Sequence, residues 1–208
     1  MNQLVQTIQQ DLQGDKASAF FMQYFSNVGH NIYSNITFEE TKECNSYMEL
    51  GYFYVPTGQL IVSDPCYESG NLFIGKLLDV YCGRWLTSVM YRIYPDIGTR
   101  VTRLIVKSER YQTSGNLVAN LEPFRIYVDS GCAGFFDIAH FQCGNANGSF
   151  CKLWYDYCRR KIRSPYYAGA ITCGAVASAG FGDGEYTCIS YRDNNNIMHM
   201  AELIFIVD

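Results

Sequence analysis

The chain has 208 residues, a formal net charge of −4 and a pI near 5.4, with 48% hydrophobic and 17% charged residues. Its 17 Tyr and 13 Phe supply ample apolar surface, which excludes intrinsic disorder, and the acidic balance argues against nucleic acid as a partner. A chain of this length buries roughly 70% of its unfolded surface, so its stability requires no disulfide or metal.

Residues 2–13 place Leu4, Val5, Ile8 and Leu12 on one helical face, and Gly14 supplies a stop. A second helical stretch, 16–27, carries Phe20, Phe21, Tyr24 and Phe25, so residues 1–30 read as a helical hairpin or lid. From about residue 47 the pattern turns to strands, first 48–55 and 59–63, separated by the turn signal Pro56-Thr57-Gly58. Residues 78–94 and 99–107 read as a long hairpin through Pro95-Asp96-Ile97-Gly98, and 110–122 as a polar loop. A strand is expected over 124–128. A helix follows over 150–162, with Leu153, Trp154, Tyr157 and Cys158 on its apolar face and the basic run Arg159-Arg160-Lys161 near its end. Strands over 171–177, 186–191 and 197–207 close the chain, the last two joined through Asp193-Asn194-Asn195-Asn196. Runs of strands with segregated helices predict one α+β domain, a mainly antiparallel sheet or sandwich over 47–208 with the helical element in front.

Nine cysteines occur, at 44, 66, 82, 132, 143, 151, 158, 173 and 188. The count is odd, no Cys-x-x-Cys pair exists, and the N-terminus lacks the basic and apolar regions of a secretory signal. Reduced thiols in a cytoplasm are the expectation, most of them small core hydrophobes. The sequons at Asn35 and Asn147 then carry little weight. No apolar run approaches the roughly 20 residues that span a bilayer, so no membrane partner is expected.

Two acidic, glycine-rich segments stand out. Ser178-Ala-Gly-Phe-Gly-Asp-Gly-Glu-Tyr186 lies between two strand-like runs, and Ile126-Tyr-Val-Asp-Ser-Gly-Cys-Ala-Gly-Phe-Phe-Asp137 has the same character. Glycine at this density implies positive φ or close backbone approach. A phosphate-cradling loop requires a following helix, and Tyr186–Tyr191 reads as a strand, so that reading fails.

The chain resembles the domain-of-unknown-function 4241 family of bacteria on four matches in order. These are Gly58-Gln-Leu-Ile-Val-Ser-Asp-Pro65, Val128-Asp-Ser-Gly131 through Asp137, Gly182-Asp-Gly-Glu-Tyr186, and a closing strand after the Asp193–Asn196 turn. They span roughly residues 50–206 and leave out the N-terminal helices. The resemblance implies a soluble bacterial or phage-encoded protein and marks Asp64, Asp129, Asp137 and Asp183. It brings no activity with it.

Each aspartate has a turn-capping reading beside a ligand-binding one, and Asp64, which precedes a proline, is expected to cap. Paired ionised carboxylates require a cation, a shared proton or an arginine, for which Arg84, Arg92, Arg100 and Arg125 are candidates. Cys132 with His140 is a candidate nucleophile and base, against the reading of an inert buried thiol. His140, Cys143, Cys151 and Cys158 are candidate zinc ligands with irregular spacing.

The sequence thus predicts a non-catalytic binding or interaction protein whose cleft is formed by the 129–137 and 180–186 turns. The ligand-binding residues are Asp129, Asp137, Gly182, Asp183 and Gly184, with aromatic walls from Phe135, Phe136, Phe181 and Tyr186. An immunity protein or a sponge for a signalling ligand fits such a cleft, with an unidentified protein or small molecule as partner, homo-oligomerisation allowed, and cofactor and metal unspecified. The alternative is a hydrolase or transferase using Asp129 and Asp183, with or without a metal.

Overall fold

The computed structural model describes residues 45–112, 117–119, 123–143 and 150–207. These belong to one compact unit, Cys44–Asp208. The helices expected within residues 1–30, Cys44 and both sequons lie outside the described residues.

The described chain runs β1 (Asn45–Val55), β2 (Leu60–Ser63), β3 (Gly75–Leu77), β4 (Gly83–Tyr94), β5 (Gly98–Ser108), β6 (Val118–Ala119), β7 (Phe124–Val128), β8 (Cys132–Asp137), α1 (Lys152–Ile162), β9 (Ala168–Ile171), β10 (Gly174–Ser178), β11 (Gly184–Arg192) and β12 (Met198–Ile204). One sheet has the order β1-β4-β5-β12-β11, with β6 and β7 sharing the outer edge of β11. The other has the order β3-β2-β8-β10-β9. All pairings between these strands are antiparallel. The mainly antiparallel, two-sheet α+β architecture is therefore as the sequence predicts.

The sheets bury a shared apolar cluster. Phe53, Val55, Trp85, Val89, Leu104 and Leu203 from the first sheet meet Leu60, Val62, Phe135, Ala175 and Ala177 from the second. Helix α1 covers the second sheet from outside, setting Trp154 against Phe136 with ring centroids 5.2 Å apart. Every residue of β8 is consequently buried, with Phe135 in the cluster and Phe136 under the helix. Strands covered on both faces lose polar–apolar alternation. That is why 132–137 reads in sequence as part of a loop and is in fact a central strand.

Glycine makes this strand possible. A Cβ on Gly134 would stand 2.2 Å from the carbonyl oxygen of Ala175, so only glycine lets β8 and β10 approach this closely.

Local boundaries differ from expectation in three places. The stretch 171–177 is two strands, β9 and β10, joined by Thr172 and Cys173. The long hairpin starts at Gly83 rather than 78, and the polar loop holds a 3₁₀ turn at Glu109–Gln112 and the short β6. Among the described residues no helix is long and apolar enough to cross a membrane.

Candidate functional site

The two acidic segments are neighbouring crossovers between the sheets. Residues 129–131 carry the chain from β7 in the first sheet to β8 in the second, and 179–183 carry it back from β10 to β11. Register brings them together, since Cys132 pairs with Ser178 and Val128 with Gly184. The Ala179 N–H donates to the Gly131 carbonyl at 2.9 Å, and a Cβ on Gly131 would lie 3.9 Å from Gly182 Cα.

Asp64 fastens this corner from beneath. Its carboxylate is fully buried and accepts four hydrogen bonds. Oδ1 takes the Cys66 N–H at 2.8 Å and the Ser130 hydroxyl at 2.6 Å. Oδ2 takes the N–H groups of Asp129 at 2.9 Å and Ser130 at 2.7 Å. The capping expected of Asp64 is therefore present, and it extends to a turn 66 residues away.

Asp129 and Asp183 are both exposed. The Tyr67 hydroxyl donates to Asp129 Oδ2 at 2.8 Å. Burial, and then this bond, hold the Tyr67 phenol above its usual range. Asp183 lies beside the Gly131 turn, with Oδ1 about 4.0 Å from where a Gly131 Cβ would stand. Tyr186 anchors the second turn, its hydroxyl reaching the Gly182 carbonyl at 2.7 Å and that of Ala179 at 3.1 Å. Its ring packs edge-on against Phe205 at 5.2 Å, so Tyr186 supports the corner from below. Gly182 and Gly184 have φ of +115° and +157°. Phe181 projects outward and meets Tyr94 at 5.5 Å.

Phe135 and Asp137 belong elsewhere. Phe135 is fully buried between the sheets, and Asp137 lies at the far end of β8, five residues beyond Cys132. Of the candidate arginines, Arg84 pairs with Glu109 at 3.2 Å and Arg125 with Glu185 at 2.8 Å. Arg92 contacts the Tyr94 hydroxyl at 3.5 Å, and Arg100 donates to the Thr99 carbonyl at 3.0 Å.

A further cation near the corner comes from helix α1. Arg159 stands 5.5 Å over the Tyr155 ring, and its charge acts on both Tyr155 and Cys132. No local signal ties these helix positions to residues 129–132, because sheet packing alone joins them. Tyr67, Phe73 and Tyr127 were likewise missed. Tyr67 packs on Phe73 at 6.2 Å and Phe73 on Tyr127 at 4.8 Å, a strip that leads to Asp129.

Cys132 is fully buried, and its thiol is pushed up to about 12, chiefly by burial. Burial, and then a bond to Asp64, raise the Cys66 thiol to about 12 as well. Both rest as protonated thiols near neutrality, Cys132 in the core and Cys66 half-buried. His140 sits near Asp137, at the opposite end of β8 from Cys132. Among the described residues no three His, Cys, Asp or Glu side chains are arranged to hold a metal ion. Comparison with protein-family models, curated proteins and solved structures finds no match, so the resemblance to the domain-of-unknown-function 4241 family rests on its four motifs alone.

Proposed function

We propose that this chain is an intracellular binding protein of bacterial or phage origin, and that its acidic corner and adjoining aromatic strip recognise a cationic protein face. The observation that carries the reading is the unbroken run from Tyr127 through Phe73 and Tyr67 to the Asp129 carboxylate. Leu72 beside it is 96% exposed, Phe73 48% and Tyr127 44%. Flat aromatic faces next to carboxylates suit Arg and Lys side chains, whose stems lie on the rings while their charges meet Asp129. A basic toxin face is a partner of this chemistry, in keeping with an immunity-type role. The eight described cysteines are all free thiols, which supports a reducing compartment.

The rival, acid–base or metal-assisted hydrolysis by Asp129 and Asp183, has less support. One Asp129 oxygen is taken by the Tyr67 hydroxyl, and that phenol, raised above its usual range, stays protonated and is a poor proton donor for catalysis near neutrality.

Fluorescence anisotropy with a labelled Arg- and Lys-rich peptide and its Glu-rich counterpart tests the proposal. The cationic peptide should bind in a salt-dependent way, and Phe73→Ala or Asp129→Asn should weaken it roughly tenfold. Equal binding of both peptides, or variants that bind like the parent, would overturn it.

A further inference from the structure

The aromatic strip meets a second carboxylate at its Tyr127 end. On β7, Ile126 and Val128 are buried, so the alternate positions Arg125 and Tyr127 share the outer face. Tyr127 pairs directly with Glu185 of β11, and Arg125 pairs with Thr187. Residues directly opposite in a ladder bring their side chains together, and long side chains also reach the diagonal neighbour. Arg125 takes the diagonal, its Nη1 donating to Glu185 Oε2 at 2.8 Å. The Glu185 carboxylate also holds the Tyr127 phenol above its usual range. One step beyond the last ladder pair, Gly184 with Val128, the two chains carry Asp183 and Asp129. This edge of the sheet thus bears three carboxylates, and Glu185 already holds a cation of its own chain.

How firmly Arg125 holds Glu185 decides what the pair does. Asp64 braces the corner from a fully buried position, whereas the Arg125 side chain is 67% exposed and that of Glu185 35%. Water and salt screen such a pair, whose strength corresponds to at most about a fivefold preference for the closed arrangement. Another arginine of the same sheet shows what a guanidinium gains when a ring lies within reach. Arg84 stands over the Tyr52 ring, 3.9 Å from its centroid, and pairs with Glu109 at 3.2 Å. A partner's arginine laid on Tyr127 beside Glu185 would have the same two neighbours, a phenol ring and a carboxylate.

Resting on the recognition proposed above and deepening it, we propose that Arg125 is an internal competitor for the partner's cation. In the free protein it occupies Glu185. On binding, an arginine or lysine of the partner takes Glu185 while lying on Tyr127, and Arg125 turns out to solvent. The consequence is selectivity. A partner with a single cation meets Asp129 without disturbing this pair. A basic face with a second cation, placed beside Tyr127, gains by displacing Arg125, so the device favours strongly basic partners over weakly charged ones. Arg125 sets that threshold and is not itself a binding group.

The test measures the Arg- and Lys-rich peptide by fluorescence anisotropy against the whole chain, Arg125→Gln, Glu185→Gln and the double variant. Salt is kept at about 0.15 M, where long-range charge effects are screened. Arg125→Gln should bind roughly threefold more tightly than the parent, because Glu185 is released to the peptide. In the Glu185→Gln background the same substitution should lose most of that gain. Arg84→Gln removes an equal charge from β4, three strands from β11, and should bind like the parent. No gain in Arg125→Gln, an equal gain with and without Glu185, or an equal gain in Arg84→Gln would overturn the competitor role and leave the cationic recognition standing. A parent that binds the Glu-rich peptide equally well would overturn both.

Discussion

The Asp64 carboxylate accepts the backbone N–H of Ser130 at 2.7 Å across 66 residues of chain. The bond joins the end of β2 to the β7–β8 crossover, so one buried charge ties a strand end to the turn that displays Asp129. Protein donors compensate it, among them three N–H groups and one hydroxyl.

Asp64→Ala strips these donors of their acceptor at a fully buried position. Hydrogen bonds to a charged group are each worth about 1.5–3 kcal/mol, and orphaned buried donors add their own cost. A loss of about 3 kcal/mol or more in urea unfolding is expected. Asp64→Asn keeps one acceptor oxygen and should cost about half as much. A loss within about 0.5 kcal/mol for Asp64→Ala would show that the corner does not depend on this carboxylate.

Gly134→Ala tests the close approach of β8 and β10. The new methyl would lie 2.2 Å from a backbone oxygen that cannot move without parting the strands. The expected cost is about 3 kcal/mol or a failure to fold. Gly70→Ala is the control, because a Cβ there meets nothing within 4 Å, and it should change stability by less than about 0.5 kcal/mol.

The two described histidines pull the pH profile in opposite directions. His140 is raised from 6.5 to about 10 by Asp137 and then Cys173, so the folded state holds a proton that the unfolded state gives up. Its contribution is complete below pH 6.5 and is lost as pH rises toward 10. His199 is lowered from 6.5, chiefly by burial, so below pH 6.5 the unfolded state binds the proton more readily and stability falls with acid. Urea midpoints should therefore peak near pH 6.5. His140→Gln should flatten the alkaline limb and His199→Gln the acid limb. A profile unaffected by either substitution would contradict these assignments.

What the sequence revealed and concealed follows from how far each interaction reaches. The Asp-Pro cap, the glycine turns around Asp129 and Asp183, and the hairpin through residues 95–98 all depend on neighbours a few positions away. They were visible in the string of residues. His140 was read as a partner of Cys132, whereas the structure sets it on Asp137, three residues before it. Cys132 lies at the opposite end of β8, and the β8–β10 register instead brings the Cys173 carbonyl to the Asp137 N–H. Phe135 was misplaced for a similar reason, because a strand covered on both faces carries no alternating pattern to separate wall from core. Tyr67, Tyr155 and Arg159 reach the corner only through packing of distant elements.

Tyr186→Phe probes how the second turn serves recognition. The phenol reaches two carbonyls of the 179–183 turn, those of Gly182 at 2.7 Å and Ala179 at 3.1 Å. Phenylalanine keeps the edge-on packing against Phe205 and removes only these bonds. Global stability should fall by about 1 kcal/mol, a drop of about 2–4 °C in Tm. The local effect should be larger. The Gly182 N–H, which donates to the Ala179 carbonyl at 2.6 Å, should exchange with solvent faster, since the turn loses its second fastening. If the corner recognises cationic partners, binding of the Arg- and Lys-rich peptide should weaken in the same variant, because Asp183 is no longer presented in one position. Faster exchange with unchanged peptide affinity would confine recognition to the Tyr67–Phe73–Tyr127 strip and Asp129, and would remove the 179–183 turn from the binding face.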